Sequence, residues 1–347
     1  MAQGISMPYK KGIMSRQGAE NTLQIKKSGF KKCMEAREFT LAILLLVIIV
    51  LLSVTTRDFA NPANVRVLLL GMSSDLIIAV PMGISLIAGN IDFSVGSTMG
   101  LASVLGGMII NATGNALVGI VAALLIGAVL GIINAVMICH LHVTPLVATL
   151  GTWMAYKGLQ KVIAANAIAN FPTDFFTLGR TELNLFGVSI PISIIYMLAV
   201  FVVGIFVLKK VNFFHNAYFI GSNKDSARLA GINITKFTYI SYMITGILAA
   251  FAGMVLVSRL GTASQTIGSG LEFRIVVALL VGGLSMDGGE GSMIGIGMGV
   301  LLMQIISNAL VLTGINPNYS EVIIGAILVL SVGIDQINKR RRAKARA

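Results

Sequence analysis

The chain has 347 residues, of which 56% are hydrophobic and 12% charged. That charged share is about half that of an average soluble domain, so the composition excludes a water-soluble fold and requires a polytopic membrane protein. A net charge of +12 is no nucleic-acid signature here, because 19 of the 26 Lys and Arg sit in three polar segments, as positive-inside topology predicts.

Residues 1–38 read as a polar N-terminal tail with eight basic residues, Lys10 to Arg37. No cleavable signal peptide is expected, since the first apolar run starts near Phe39 and no small-residue cleavage site follows it before Arg57. Ten apolar stretches follow, near 39–56, 66–88, 94–111, 115–139, 144–165, 190–208, 236–258, 271–284, 292–313 and 320–334. The eighth is short, and Pro81 is placed to kink the second. A membrane domain is thus expected over 39–335, and a basic C-terminal tail over 336–347. Lipid offers no partner for free backbone groups, so the expected fold class is all-α. Ten spans place both basic tails and the 209–235 loop on one side, the cytoplasmic one by the positive-inside rule.

The long polar break between the two halves is Tyr218–Asn233, YFIGSNKDSARLAGIN. Lys209, Lys210, Lys224, Arg228 and Lys236 lie in or beside it. Ser226, Ala227, Leu229 and Ala230 favour a short helix, which Gly231 would stop. Either this is a surface helix that a soluble partner grips, or it is an ordinary charged loop.

Glycines at helical spacing, Gly127 with Gly131 and Gly291, Gly295 and Gly299, read as sites of close helix packing. The pattern Asp92-x-x-x-Gly96-Ser97-x-x-Gly100 recurs as Asp287-x-x-x-Gly291-Ser292-x-x-Gly295. Each copy breaks an apolar stretch, as internal repeats of transporters do.

Polar residues near the hydrocarbon are candidates for a translocation pathway. Asn90, Asp92, Ser94 and Ser97 cluster before the third span, and Thr149, Thr152 and Trp153 run along the fifth. Asp92 has two readings, a pathway carboxylate or a cap accepting from the amides around Ser94 and Val95. Asp75 needs a partner, with Arg66 and Arg274 available. Glu272 and Arg274 are close enough in sequence to pair with each other, and Lys157 and Lys161 are expected to reach the outer surface. Cys33 and Cys139 stand far apart, and His140, His142 and His215 show no HExxH spacing. No catalytic set, metal set or GxxxxGK[ST] phosphate loop is present, so neither catalysis nor a cofactor is expected in this chain.

Five motifs now fall in order: GISLIAGNIDFSVGS, TPLVATLGTWMAYKGL, YFIGSNKDSARLAGIN, VGGLSMDGGEGSMIG and NPNYSEVIIGAILVLSVGID. Together they resemble the ribose-type permeases of bacterial ABC sugar importers, over about residues 40–335. Asn90 stands where the family usually has a second glycine, and Lys157 where arginine is common. The resemblance implies an inner-membrane permease working with a second permease copy or paralogue. It further implies a periplasmic or lipid-anchored substrate-binding protein, and a separate ABC ATPase that binds ATP and Mg. The helix in the central loop would then enter a groove of the ATPase. Ala227, Leu229 and Ala230 would give the apolar contact, Asn223, Lys224 and Arg228 the polar rim, and Gly221 and Gly231 the flanking turns. An ion-coupled secondary transporter, with Asp75 and Asp92 as ion sites, is the alternative.

Overall fold

The structure is a computed structural model that describes residues 37–344 other than Phe186 and Pro317. Except for its last two residues, the tail expected over 1–38 lies outside the described residues.

The helices are α1 Arg37–Thr55, α2 Pro62–Ile87, α3 Val95–Thr113, α4 Ala116–Cys139 and α5 Pro145–Ile163. A 3-10 turn Thr173–Phe176 and a short α6 Thr177–Arg180 follow, then strands β1 Glu182–Leu185 and β2 Val188–Pro191. After these come α7 Ile192–Lys210, α8 Asn212–Ser222, α9 Lys224–Leu229 and α10 Ile234–Leu260. The chain closes with α11 Leu271–Val281, α12 Met293–Leu312 and α13 Tyr319–Lys344. The expected start of the C-terminal tail at 336 is not a break in the backbone, because α13 runs on to Lys344.

Local chemistry sets the starts. Asn61 accepts from the Ala63 amide ahead of α2, where Pro62 takes the first helical position. Asn115 accepts from the Leu117 amide at 2.9 Å, Asn233 from Lys236 at 2.8 Å and Ser292 from Gly295 at 3.0 Å.

Among the described residues, seven helices are long and apolar enough to cross a membrane: α1, α2, α3, α4, α7, α10 and α12. The other three stretches read as spans differ for physical reasons. In α5, Lys157, Gln160, Lys161 and several hydroxyls dilute the apolar run. The apolar part of α13 is only Tyr319–Gly333. At 11 residues α11 is about 16 Å long, half the hydrocarbon thickness, and it ends at Val281 rather than near 284. It is a half-helix between two irregular stretches, 261–270 and 282–292.

The expectation of helices alone needs one correction. Glu182–Leu185 pairs antiparallel with Val188–Pro191, so the polar stretch before α7 ends in a hairpin. Arg66 at the start of α2 donates to Glu182 and thereby ties this hairpin to the bundle.

The core lies where α2, α3, α4 and α10 meet. The close-packing expectation for glycine holds here: a methyl on Gly127 would come within 2.3 Å of the Gly246 carbonyl oxygen, and one on Gly131 within 2.2 Å of that of Tyr242. Gly295 and Gly299 pack likewise on the Gly282 and Ala278 carbonyls of α11. Gly291 belongs to a different setting, with φ of 145°, two residues before α12 begins.

The two repeat copies are not equivalent. Ser97 lies inside α3, three residues past its first turn's cap at Ser94, whereas its counterpart Ser292 is itself the cap of α12.

Candidate functional site

Between α2 and α3 the backbone leaves the helix at Ala88 and re-enters at Val95. The polar groups of this break are buried in protein, a setting in which irregular backbone survives at membrane depth. Asp92 Oδ1 accepts from the Ser94 amide at 2.8 Å and from Ser94 Oγ at 2.6 Å. Asn134 of α4 donates to Ser94 Oγ at 2.8 Å, and Thr152 of α5 donates to Asn134 Oδ1 at 2.7 Å. Asp92, Ser94, Asn134 and Thr152 thus form one hydrogen-bonded chain across three helices. Asp92 takes the Ser94 amide, as a cap would, and not that of Val95. Asn90 donates to Thr238 of α10 at 3.3 Å, and Tyr242 donates to the Ile91 carbonyl at 2.8 Å. Ser97 and Thr149 turn back to their own helices, on the carbonyls of Ser94 and Pro145.

Trp153 belongs to a second cluster. Its indole donates to Glu272 Oε1 at 2.9 Å, in the first turn of the half-helix α11. Glu272 is 2% exposed, and its other oxygen lies against Gly96, where a methyl group would come within 2.1 Å of it. Gln160 of α5 donates to the carbonyls of Ser264 and Ile267 at 3.1 and 3.0 Å. Lys157 donates to the Gln265 carbonyl at 3.3 Å and to Ser269 Oγ. Lys157 thus ties α5 to the irregular stretch ahead of α11 through two exposed partners.

A third cluster faces a polar cavity of about 280 Å³ lined by parts of α2, α10, α11 and α12. Arg274 Nε lies 2.9 Å from Asp75 Oδ2, and Nη2 donates to Oδ1 at 3.0 Å. Of the two arginines available to Asp75, Arg274 is the partner, and Arg66 goes to Glu182. The expected Glu272–Arg274 pair does not form. Two positions apart on a helix they face different directions, Glu272 towards Trp153 and Arg274 towards α2.

The element between the halves is two helices. Asn223 separates α8 from α9 and caps the second, accepting from the Ser226 amide at 2.8 Å. Gly231 ends the turn with φ of 81°, while the Gly231 and Ile232 amides donate to the Arg228 and Ala227 carbonyls. Two assignments change. Ala227, expected on a partner's surface, is 2% exposed and packs into the chain's own core. Gly221, expected in an entry turn, lies inside α8. There a methyl group would reach within 2.0 Å of the Ile87 carbonyl oxygen and 2.3 Å of the Gly289 nitrogen. Leu229 is 91% exposed, and Asn223, Lys224, Arg228 and Ala230 are exposed beside it.

Neither Asn134 nor Gln160 stood out in the sequence. A lone amide inside an apolar run was the available signal for Asn134, since such a group in lipid needs a partner.

A multi-pass helical domain with broken helices around buried polar clusters, and a two-helix element packed between its halves, has the architecture of a membrane permease. The chain belongs to the family described as branched-chain amino acid transport system / permease component, whose model matches residues 65–332. It is 32% identical over 308 residues to the autoinducer 2 import system permease protein LsrD of Photorhabdus luminescens, covering 85% of this chain and 90% of that one. It is 31% identical to the ribose import permease protein RbsC of Escherichia coli K12, covering 86% and 93%. A solved structure titled as an inward-facing conformation of a putative metal-chelate type ABC transporter aligns with a TM-score of 0.44 at 16% identity, over 84% of this chain and 96% of that one.

Proposed function

We propose that this chain is the permease subunit of an ATP-driven importer in the bacterial inner membrane. Its cargo is a small sugar, a pentose, hexose or related furanosyl compound, as the names of its relatives suggest. ATP and Mg are held by a separate ABC ATPase. A periplasmic or lipid-anchored binding protein delivers the sugar, and a second permease copy or paralogue completes the pathway.

The observation that carries this reading is the position of α8. Its Gly221 packs at once on the break after α2, at Ile87, and on the loop between α11 and α12, at Gly288 and Gly289. The Gly289 amide also donates to the Ile87 carbonyl at 2.7 Å. Force applied to α8–α9 therefore reaches both discontinuities directly, as rigid-body switching of access requires. Asn223, Lys224, Arg228, Leu229, Ala230 and Gly231 present the surface that the ATPase grips. The two carboxylates expected to serve an ion-coupled transporter are already engaged, Asp75 by Arg274 and Asp92 by Ser94.

ATP-dependent sugar uptake by liposomes holding the chain with its ATPase and binding protein tests this reading. Uptake driven by an ion gradient without ATP would overturn it. The proposed topology, ten crossings with both ends cytoplasmic, in which α11 crosses together with the irregular stretches that flank it, places residues 180 and 342 on opposite sides. Labelling of Arg180→Cys and Arg342→Cys from the same side would reject it.

A further inference from the structure

A groove of about 360 Å³ opens between α2, α7 and α10, with α8 closing its lower end. Its walls are wholly apolar and include Pro81, Val203, Val207, Phe214, Ile244 and Leu248. Sequence explains the hollow. Gly204 of α7 faces Val80, and a methyl there would come within 2.5 Å of Val80 Cγ1, so α7 approaches α2 at that level without filling the space beside it. Pro81 presents a compact ring where a longer side chain would fill the gap.

A lysine stands below each wall. Lys210 follows Val203 by seven residues and Val207 by three, so it shares their face of α7. Lys236 stands in the first turn of α10, next to Phe237, whose ring lies 6.5 Å from that of Phe214 at the groove's end. Both are exposed, and both lie towards the end where α8 caps the groove. The ion pairs among the described residues are Arg57–Asp58, Arg66–Glu182, Arg228–Asp225 and Arg274–Asp75, so neither lysine is engaged by a described carboxylate.

We propose that this groove seats an acyl chain of an anionic glycerophospholipid whose phosphate sits between Lys210 and Lys236. An open apolar groove with two unpaired cations near its end matches the two parts of that molecule. A second protein chain would have to supply a narrow apolar ridge ending in an acid, whereas the bilayer supplies the lipid everywhere. The lipid would bear on Phe214 and so on α8, the element that touches both backbone breaks. The inference does not depend on which solute is carried.

The test uses the full chain purified in mild detergent. It is offered phosphatidylglycerol and phosphatidylcholine with identical acyl chains, and retained lipid is counted by native mass spectrometry. The wild type should enrich phosphatidylglycerol by roughly tenfold. Lys210→Gln with Lys236→Gln should bring the two lipids close to parity. Val203→Phe, which fills the groove from its 57% exposed wall, should remove the enriched lipid with no fall in thermal stability. Equal retention by the wild type, or undiminished preference in either variant, would overturn the proposal. So would disulfide formation between two chains carrying Val203→Cys, which would place a second copy in the groove.

Discussion

Gly221 of α8 meets Gly289 backbone to backbone, and the same glycine faces the carbonyl of Ile87. A methyl group at 221 would lie 2.3 Å from one and 2.0 Å from the other. Both neighbours are main chain, so neither can swing away as a side-chain tip would. Gly221→Ala should displace α8, at a cost on the order of 1–3 kcal/mol. We expect sugar uptake to fall at least as steeply as thermal stability, because the displaced surface is the one that transmits force. Normal uptake by a stably folded Gly221→Ala variant would show that this contact transmits nothing.

Ala227 and Leu229 are two residues apart and face opposite ways, which separates folding from partner binding. Leu229→Asp places a charge on a residue that is 91% exposed, so insertion and melting temperature should stay unchanged. In an interface with the ATPase the same aspartate would be desolvated, and co-purification should be lost. Ala227→Asp buries the charge inside the permease and should lower its own stability by several kcal/mol. Equal ATPase binding by Leu229→Asp and wild type would remove α9 from the interface.

The same pair shows what could be read in advance and what could not. Composition and charge clusters fix a helical membrane domain, because the bilayer permits few alternatives. Asn223, Asn233 and Gly231 mark their turns correctly, because capping is local chemistry. A six-residue helix has too few positions to reveal its buried face, so Ala227 was placed outward with Leu229. Asn134 illustrates the other limit. Its partners Ser94 and Thr152 lie 40 and 18 residues away, and only the fold brings them together. The hairpin after residue 181 was missed for a related reason: two four-residue strands carry little periodic signal.

The hairpin carries a pH dependence. The hydrogen bond from Ser189, and after it the hydrogen bond and charge of Arg66, hold the Glu182 carboxyl below its ordinary value of 4.5. A carboxylate depressed in the folded state contributes stability above pH 4.5, and loses it as pH falls through the lowered value. The protection of the strand amides against exchange, relative to the intrinsic rate at each pH, should therefore fall only below pH 4.5, and that fall should be absent in Glu182→Gln. An acid response that persists in Glu182→Gln would assign it elsewhere.

Asp92→Asn separates geometry from charge at the α2–α3 break. Asparagine keeps a carbonyl oxygen that can accept from the Ser94 amide and hydroxyl, so assembly with the ATPase should be preserved. Asn134→Leu, in contrast, removes the link between Ser94 and Thr152 and should destabilise the fold by about 1–3 kcal/mol. If Asp92 acts only as a structural acceptor, uptake by Asp92→Asn stays near wild type. Loss of uptake in an assembled Asp92→Asn complex would assign a role to the charge itself.

The Asp75–Arg274 pair ties the half-helix α11 to α2 across the polar cavity, with the Asp75 side chain 4% exposed and that of Arg274 30% exposed. Its attraction must offset the desolvation of both ions, so the pair adds little net stability against an uncharged equivalent. Removing one partner is different, because the other charge stays behind unpaired. Asp75→Asn and Arg274→Gln should each destabilise by about 3–5 kcal/mol. The double variant leaves no stranded charge and should be more stable than either single one, with a coupling of about 1–3 kcal/mol in a double-mutant cycle. Thermal unfolding of the four proteins in one detergent measures this. Additive losses would mean that the two groups do not depend on each other, and that α11 is held against α2 by its apolar contacts alone.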